Sequence, residues 1–161
     1  SYDPNARPSL MGAAEEARRV VEEAVAVADV VKVSDEDVDW LYAARPLPEV
    51  LRLWDGLGPS LVVVTRGGEG AIVRLPRRGE ERALPAAPVD VVDTVGAGDS
   101  FMAGLVSGLL DGGLLGGPEA RERLVEARFD DVAPAVGRAL ATAAVTVSRA
   151  GAHAPHRADL G

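Results

Sequence analysis

Over residues 9–28 the apolar positions Leu10, Ala13, Ala14, Ala17, Val21, Ala24, Val25 and Ala28 keep a helical period, while Glu15, Glu16, Arg18, Arg19, Glu22 and Glu23 fill the other face. This predicts one scaffold helix with a solvated charged side, supported by the i,i+4 pair of Glu15 and Arg19. The β-branched run Val30-Val31-Lys32-Val33 predicts a strand, and Ser34-Asp35-Glu36-Asp37 predicts the capped start of a helix carrying Trp40, Leu41 and Tyr42. Residues 46–57 predict a further helix with Val50, Leu51, Leu53 and Trp54 inward. Leu61-Val62-Val63-Val64-Thr65 is continuously apolar, as a strand buried on both faces should be. Arg66-Gly67-Gly68-Glu69-Gly70 then leads into Ala71-Ile72-Val73-Arg74-Leu75, with a hairpin turn predicted over 77–81 and a returning segment over 82–85.

Farther along, Met102, Leu105, Val106, Leu109 and Leu110 stand at the i, i+3, i+4, i+7, i+8 spacing of a buried helix face. A glycine-rich break over 111–118 follows, then an inserted helix over 119–128. A last long helix is expected to begin near Pro134 and to run through Val136, Leu140, Ala143, Ala144 and Val147. Strands alternating with helices make this an α/β chain.

Composition narrows the function. The 161 residues are 47% hydrophobic but only 4% aromatic, enough for a real core in a soluble α/β domain. A formal charge of -8 excludes nucleic acid and anionic membranes as partners, since a phosphate backbone needs a basic face. Lys32 is the only lysine and no Gly-Lys-Ser/Thr occurs, so phosphate cannot be handled by a P-loop. The absence of cysteine removes disulfides, thiolate metal sites and a cysteine nucleophile. No apolar run is long enough to span a bilayer, and the expected location is cytoplasmic.

The chemistry concentrates in Asp90-Val91-Val92-Asp93-Thr94-Val95-Gly96-Ala97-Gly98-Asp99-Ser100-Phe101. Gly96, Ala97 and Gly98 leave their N–H groups uncovered where a helix begins, and unpaired donors plus the helix dipole favour an anion there. Asp99 sits at that anion site. A carboxylate beside a phosphate costs electrostatic energy, which is accounted for if it takes the proton of a hydroxyl attacking that phosphate. A simple helix cap would need one acid, and neither three small residues nor Asp93. The stretch points to phosphoryl transfer to an alcohol.

Asp93-Thr94-Val95-Gly96-Ala97-Gly98-Asp99-Ser100-Phe101 resembles the second signature of the ribokinase-like (PfkB) carbohydrate kinases. The resemblance implies a Rossmann-like ribokinase fold, an open and mostly parallel sheet flanked by helices. It makes Asp99 the base for the sugar hydroxyl and Gly96, Ala97 and Gly98 the anion hole. Asp3-Pro4-Asn5-Ala6-Arg7 resembles a segment that follows a central strand midway through fructokinase-like and ketodeoxygluconate-kinase-like members. By that likeness residues 1–161 are the C-terminal nucleotide-binding and catalytic portion, without the N-terminal half and its lid. Asn5 and Arg7 would then touch the sugar; a solvated turn is the alternative.

The same resemblance assigns the remaining positions. Thr65-Arg66-Gly67-Gly68-Glu69-Gly70 is similar to the family's nucleotide loop, which implies ATP contacts for Thr65, Gly67 and Gly70 as well as Gly98, although a plain hairpin would use the same glycines. An N-x-x-E pattern tied to magnesium and nucleotide phosphates reads here as Ser34-Asp35-Glu36-Asp37. Ser34 would face the nucleotide and Asp37 would hold a water on Mg2+, against the competing reading of a capping box. The last helix and the loop after it, Ser148-Arg149-Ala150-Gly151-Ala152, flank the adenine in the family, bringing in Leu140 and Ala143. Backbone carbonyls and Asp93 form a monovalent-cation (K+) site in many members, with Asp93, Val95, Thr146, Arg149 and Gly151 at the matching positions. His153 and His156 read as a disordered tail rather than a metal site.

The expected function is therefore ATP-dependent phosphorylation of a sugar or sugar acid, with a small-molecule sugar and ATP as partners and a homodimeric full-length form. A catalytically incomplete nucleotide-binding fragment is the competing reading, and a nucleoside kinase or phosphofructokinase relative is a third.

Overall fold

The computed structural model of the chain describes residues 1–43 and 45–160, the last of these for its backbone. Helices α1 (Pro8–Met11) and α2 (Ala14–Val25) precede strand β1 (Val30–Ser34), followed by α3 (Asp35–Leu41), α4 (Leu47–Asp55) and β2 (Leu61–Thr65). Strands β3 (Ala71–Leu75) and β4 (Glu80–Leu84) come next, then α5 (Ala97–Asp111), α6 (Pro118–Glu126) and α7 (Phe129–Val147). The strands form one sheet in the order β1-β2-β3-β4, and β1 runs parallel to β2 from Val30 opposite Leu61 to Ser34 opposite Thr65. The chain divides into two units: one holds Ser1–Arg66 and Ile72–Arg82, the other Gly67–Ala71 and everything from Ala83 onward.

In the first unit the predicted elements form, but Leu53, expected inward, is exposed, and the first predicted helix is broken. Gly12 takes φ +73, a left-handed conformation that no right-handed helix can run through. The single helix predicted over 9–28 is thus a short turn, α1, and a separate α2, whose Ala17, Val21 and Val25 are buried. These pack with Val31 and Val33 of β1, Val62 and Val64 of β2, and Val38, Leu41, Val50, Leu51 and Trp54 of α3 and α4. Tyr42 is also buried in this core. Its hydroxyl accepts from Trp54 Nε1 at 2.7 Å and donates to Glu22 at 2.8 Å, so two buried polar groups satisfy each other. Tyr2 makes a parallel bridge to Val31 on the far side of β1 from β2.

The second unit is built on α5 against α7. Gly104 and Gly108 present no side chain, and the seam closes around Ala135, Ala139 and Thr142. Helix α7 begins at Phe129, not near Pro134, which lies inside it. The start is fixed by Asp131, whose carboxylate accepts the Arg128 N–H at 2.8 Å, and by burial of Val132. Pro134 falls early enough to lose only one ladder bond. No helix among the described residues is long and apolar enough to cross a membrane.

Candidate active site

Helix α5 opens at Gly96, which stands at φ +80 and has no side-chain cap. A left-handed residue is needed to swing the chain from the 90–95 segment into the helix, and glycine adopts it without a Cβ clash. Ala152 leaves no room for a side chain either, lying 3.1 Å from where a Cβ on Gly96 would be. Among the described residues the N–H groups of Gly96, Gly98 and Asp99 have no partner, while the Ala97 N–H, expected to be open, goes to the Thr94 carbonyl at 3.2 Å. Three unpaired donors thus stand at the start of a fifteen-residue helix, where the helix dipole favours negative charge.

Asp99 lies on the first turn of α5 with its side chain exposed. Beside it is a cavity of about 360 Å³ lined by Gly96, Asp99, Ser100 and Ala103 of the α5 entry, Thr142 of α7, and residues 152–155. A larger hollow of about 450 Å³ follows Met102, Val106 and Leu110 along α5 to Asp111 and Arg157, away from the helix start.

The loop after α7 forms one wall of the Asp99 cavity. Asp93 anchors it: one carboxylate oxygen accepts the Val95 N–H at 3.0 Å and the other the Gly151 N–H at 2.9 Å. Those bonds, that from Val95 foremost, hold the Asp93 carboxyl below the ordinary aspartate value. Val92 and Asp93 also donate to the Val147 carbonyl, at 2.7 and 3.2 Å. Thr146 lies fully buried with Oγ1 2.7 Å from Ser100 Oγ and 3.0 Å from the His153 carbonyl. Residues 152–155 line this cavity, so His153, read from sequence as part of a disordered tail, belongs to its wall, and Arg149 reaches both the His153 ring and Asp159.

Of the expected cation-site positions, Asp93, Val95 and Gly151 share one hydrogen-bonded cluster, with Thr146 and Arg149 on the same turn and loop. Leu140 and Ala143 lie half-buried one turn apart on α7. Gly67 stands at φ +51 with open space around it, whereas Gly70, at φ +94, is walled in by the 84–86 backbone.

The first unit gathers its own candidates at the carboxyl end of β1. Ser34 Oγ accepts the Asp37 N–H at 3.0 Å, so Ser34 caps α3. Asp37 Oδ1 accepts the Ala6 N–H at 3.2 Å, and Lys32, nearly buried, pairs with Asp3 at 3.0 Å. These bonds fix the turn bearing Asn5, at φ 43, and Arg7, both exposed. Thr65 Oγ1 lies 3.4 Å from the Val33 carbonyl at the matching end of β2.

Parallel strands crossed over by helices, with a glycine-opened helix that brings free amides and a carboxylate to one cavity, define an α/β domain. The chain belongs to the pfkB family of carbohydrate kinases, which matches residues 1–159. It is 37% identical to a fructokinase of Klebsiella pneumoniae over 115 residues, 71% of this chain and 37% of that protein. It is 36% identical to a 2-dehydro-3-deoxygluconokinase of Dickeya dadantii (strain 3937) over 114 residues, 70% of this chain and 37% of the other. A double-mutant fructokinase of Vibrio cholerae O395, solved with fructose, ADP and a potassium ion, superposes with a TM-score of 0.77 at 31% identity, covering 98% of this chain and 47% of that one. The chain spans little more than a third of the length of these curated relatives and about half that of the solved fructokinase.

Sequence reasoning missed the roles of Ser100 and Thr142, the Thr146 hydroxyl and the 153–155 part of the wall. The available signal was two threonines four residues apart in a stretch, 141–147, otherwise made of alanine and valine.

Proposed function

We propose that this chain carries the nucleotide-binding and phosphoryl-transfer portion of an ATP-dependent kinase acting on a sugar or sugar-acid hydroxyl. The observation that carries the reading is the exposed Asp99 carboxylate on the same helical turn as the unpaired N–H groups of Gly96 and Gly98. Asp99 takes the proton of the acceptor hydroxyl as that oxygen bonds to the γ-phosphorus of ATP, and the bond from that phosphorus to the β,γ-bridging oxygen breaks to release ADP. An aspartate is a feeble base toward an alcohol, so the gain comes from positioning and from the hydroxyl acidifying as the new bond forms. The free N–H groups meet charge on the transferred phosphoryl oxygens.

The donor set fits a phosphate ester. It does not make a divalent cage, since no group of three or more His, Asp or Glu side chains is placed to hold a metal among the described residues. Magnesium would therefore be carried mainly by the phosphates, with Asp37 touching it through water. Ser34, Thr65, Gly67, Gly70, Leu140 and Ala143 complete the proposed nucleotide contacts, and Asn5 and Arg7 those to the sugar. The carbonyls of Val95, Thr146, Arg149 and Gly151 with Asp93 would hold a monovalent cation, for which the potassium-bound fructokinase is the support.

The test is ADP titration together with a phosphotransfer assay, using ATP and Mg2+ over fructose, 2-keto-3-deoxygluconate, fructose 6-phosphate and a nucleoside. Turnover on one acceptor, lowered about 10²- to 10⁴-fold in Asp99→Asn with ADP affinity nearly unchanged, is expected. A variant keeping a tenth or more of parental turnover removes Asp99 as the base. Because the chain spans little more than a third of its curated relatives, ADP binding without turnover would mark a nucleotide-binding portion alone. Absence of both would overturn the proposal.

A further inference from the structure

We infer that Thr146 is a positioning residue whose buried hydroxyl couples the first turn of α5, which carries Asp99, to the loop that walls the cavity. Thr146 has no exposed surface and stands on α7 among Ala139, Thr142 and Ala143. A buried hydroxyl left without partners is destabilising, so its placement is explained by what it touches. Oγ1 lies 2.7 Å from Ser100 Oγ, 3.0 Å from the His153 carbonyl and 3.2 Å from the Thr142 carbonyl. With one proton, it donates to a carbonyl and accepts from Ser100. Its methyl group lies 3.9 Å from where a Cβ on Gly96 would stand. One side chain thus bonds the residue after Asp99 and the residue after Ala152 in the loop, and its methyl group stands near the Gly96 hinge.

The coupling bears on the reaction because Ser100 closes the first bond of α5, its N–H meeting the Gly96 carbonyl at 2.9 Å. A shift of that turn moves Asp99 and the Gly98 and Asp99 N–H groups together. Misplacement by an ångström costs catalysis on the order of a hundredfold. The role assigned to Asp99 rests on the proposed function; the mechanical coupling does not.

The test compares Thr146→Val, which keeps the shape and deletes the hydroxyl, with Thr146→Ser, which keeps it. Native-state amide exchange is followed at Ser100 on one side and at Gly151 and His153 on the other, with ADP affinity measured in parallel. In Thr146→Val exchange should quicken at least about tenfold at both places and ADP should bind several-fold more weakly, with the β1 and β2 amides unmoved and Thr146→Ser near wild type. Unchanged exchange, or quickening on one side only, overturns the coupling. If Thr146→Val loses protection throughout the chain, Ser100→Ala decides: quickened exchange at Gly151 and His153 upholds the coupling and unchanged exchange overturns it. A parent chain that fails to bind ADP removes the functional reading while the exchange comparison still decides the coupling.

Discussion

A Cβ added to Gly108 would sit 2.5 Å from the Cα of Ala135, closer than any side chain can approach a backbone. Helices α5 and α7 therefore touch main chain to main chain, and Gly104 repeats the relation against Ala139 at 2.8 Å. The obstacle is backbone, which no rotamer change relieves, so Gly108→Ala forces the helices apart. It should cost about 1–3 kcal/mol in denaturant unfolding. Gly137, on α7 but with nothing within 4 Å, is the control. Gly137→Ala should stabilise by about 0.5–1 kcal/mol through helix propensity. Equal effects of opposite expectation at the two sites would show that the seam does not set the packing.

This seam shows where the sequence was legible and where it was not. The apolar spacing of Leu105 and Leu109 announced a buried face on α5, though Leu110, expected on it, is exposed, and the Gly-Ala-Gly run announced the helix start, because both are local patterns. The Ser34 cap and both parallel strands were legible for the same reason. Gly12 hid its break inside an unbroken helical period, and Pro134 drew the α7 start five residues too late because proline is so often a first-turn residue. The bonds that shape the cavity wall are of another kind. Asp93 meets Gly151 across 58 residues, and Ser100 meets Thr146 across 46, so no spacing rule reports them.

Gly70 and Gly68 separate structure from ligand binding in the glycine loop. At Gly70 a Cβ would meet the Leu84 carbonyl oxygen at 2.1 Å and the Ala86 nitrogen at 2.6 Å, in a left-handed conformation besides. Gly70→Ala should cost about 2–5 kcal/mol, combining backbone strain with overpacking. Gly68 has open space and no left-handed strain, so Gly68→Ala should stay within about 0.5 kcal/mol of the parent. If the loop touches nucleotide phosphates, Gly68→Ala weakens ADP binding at unchanged stability; unchanged affinity would assign the loop to the hairpin alone.

Tyr42 carries the one hydroxyl shared by Trp54 and Glu22. Tyr42→Phe leaves the buried Trp54 N–H without its acceptor and should destabilise the first unit by about 1–3 kcal/mol in a tryptophan-monitored melt. Burial, foremost, raises the Tyr42 phenol well above its ordinary value of 10.0. A raised folded-state value means that the stabilisation is complete below that ordinary value and declines as pH climbs past it, because the unfolded chain ionises first. The parent should therefore lose stability above pH 10 more steeply than Tyr42→Phe; parallel slopes would contradict the assignment.

Acid should release the cavity wall only once pH falls below the ordinary aspartate value. The Val95 and Gly151 N–H bonds depress the Asp93 carboxyl below its ordinary 3.8, and Arg138, then Arg157, depress Asp111 in the same sense. A depressed value in the folded state gives stability that is present above 3.8 and is lost as pH falls through the folded-state value. Carboxyl-detected NMR should find Asp93 titrating below 3.8, with the Gly151 and His153 signals moving at the same midpoint as the clip releases. Asp93→Asn cannot ionise, so its loop signals should be flat over that range. Loop signals that move in Asp93→Asn as they do in the parent would place the acid sensitivity on another group, and an Asp93 titrating at or above 3.8 would mean that the bond to Gly151 does not hold in solution.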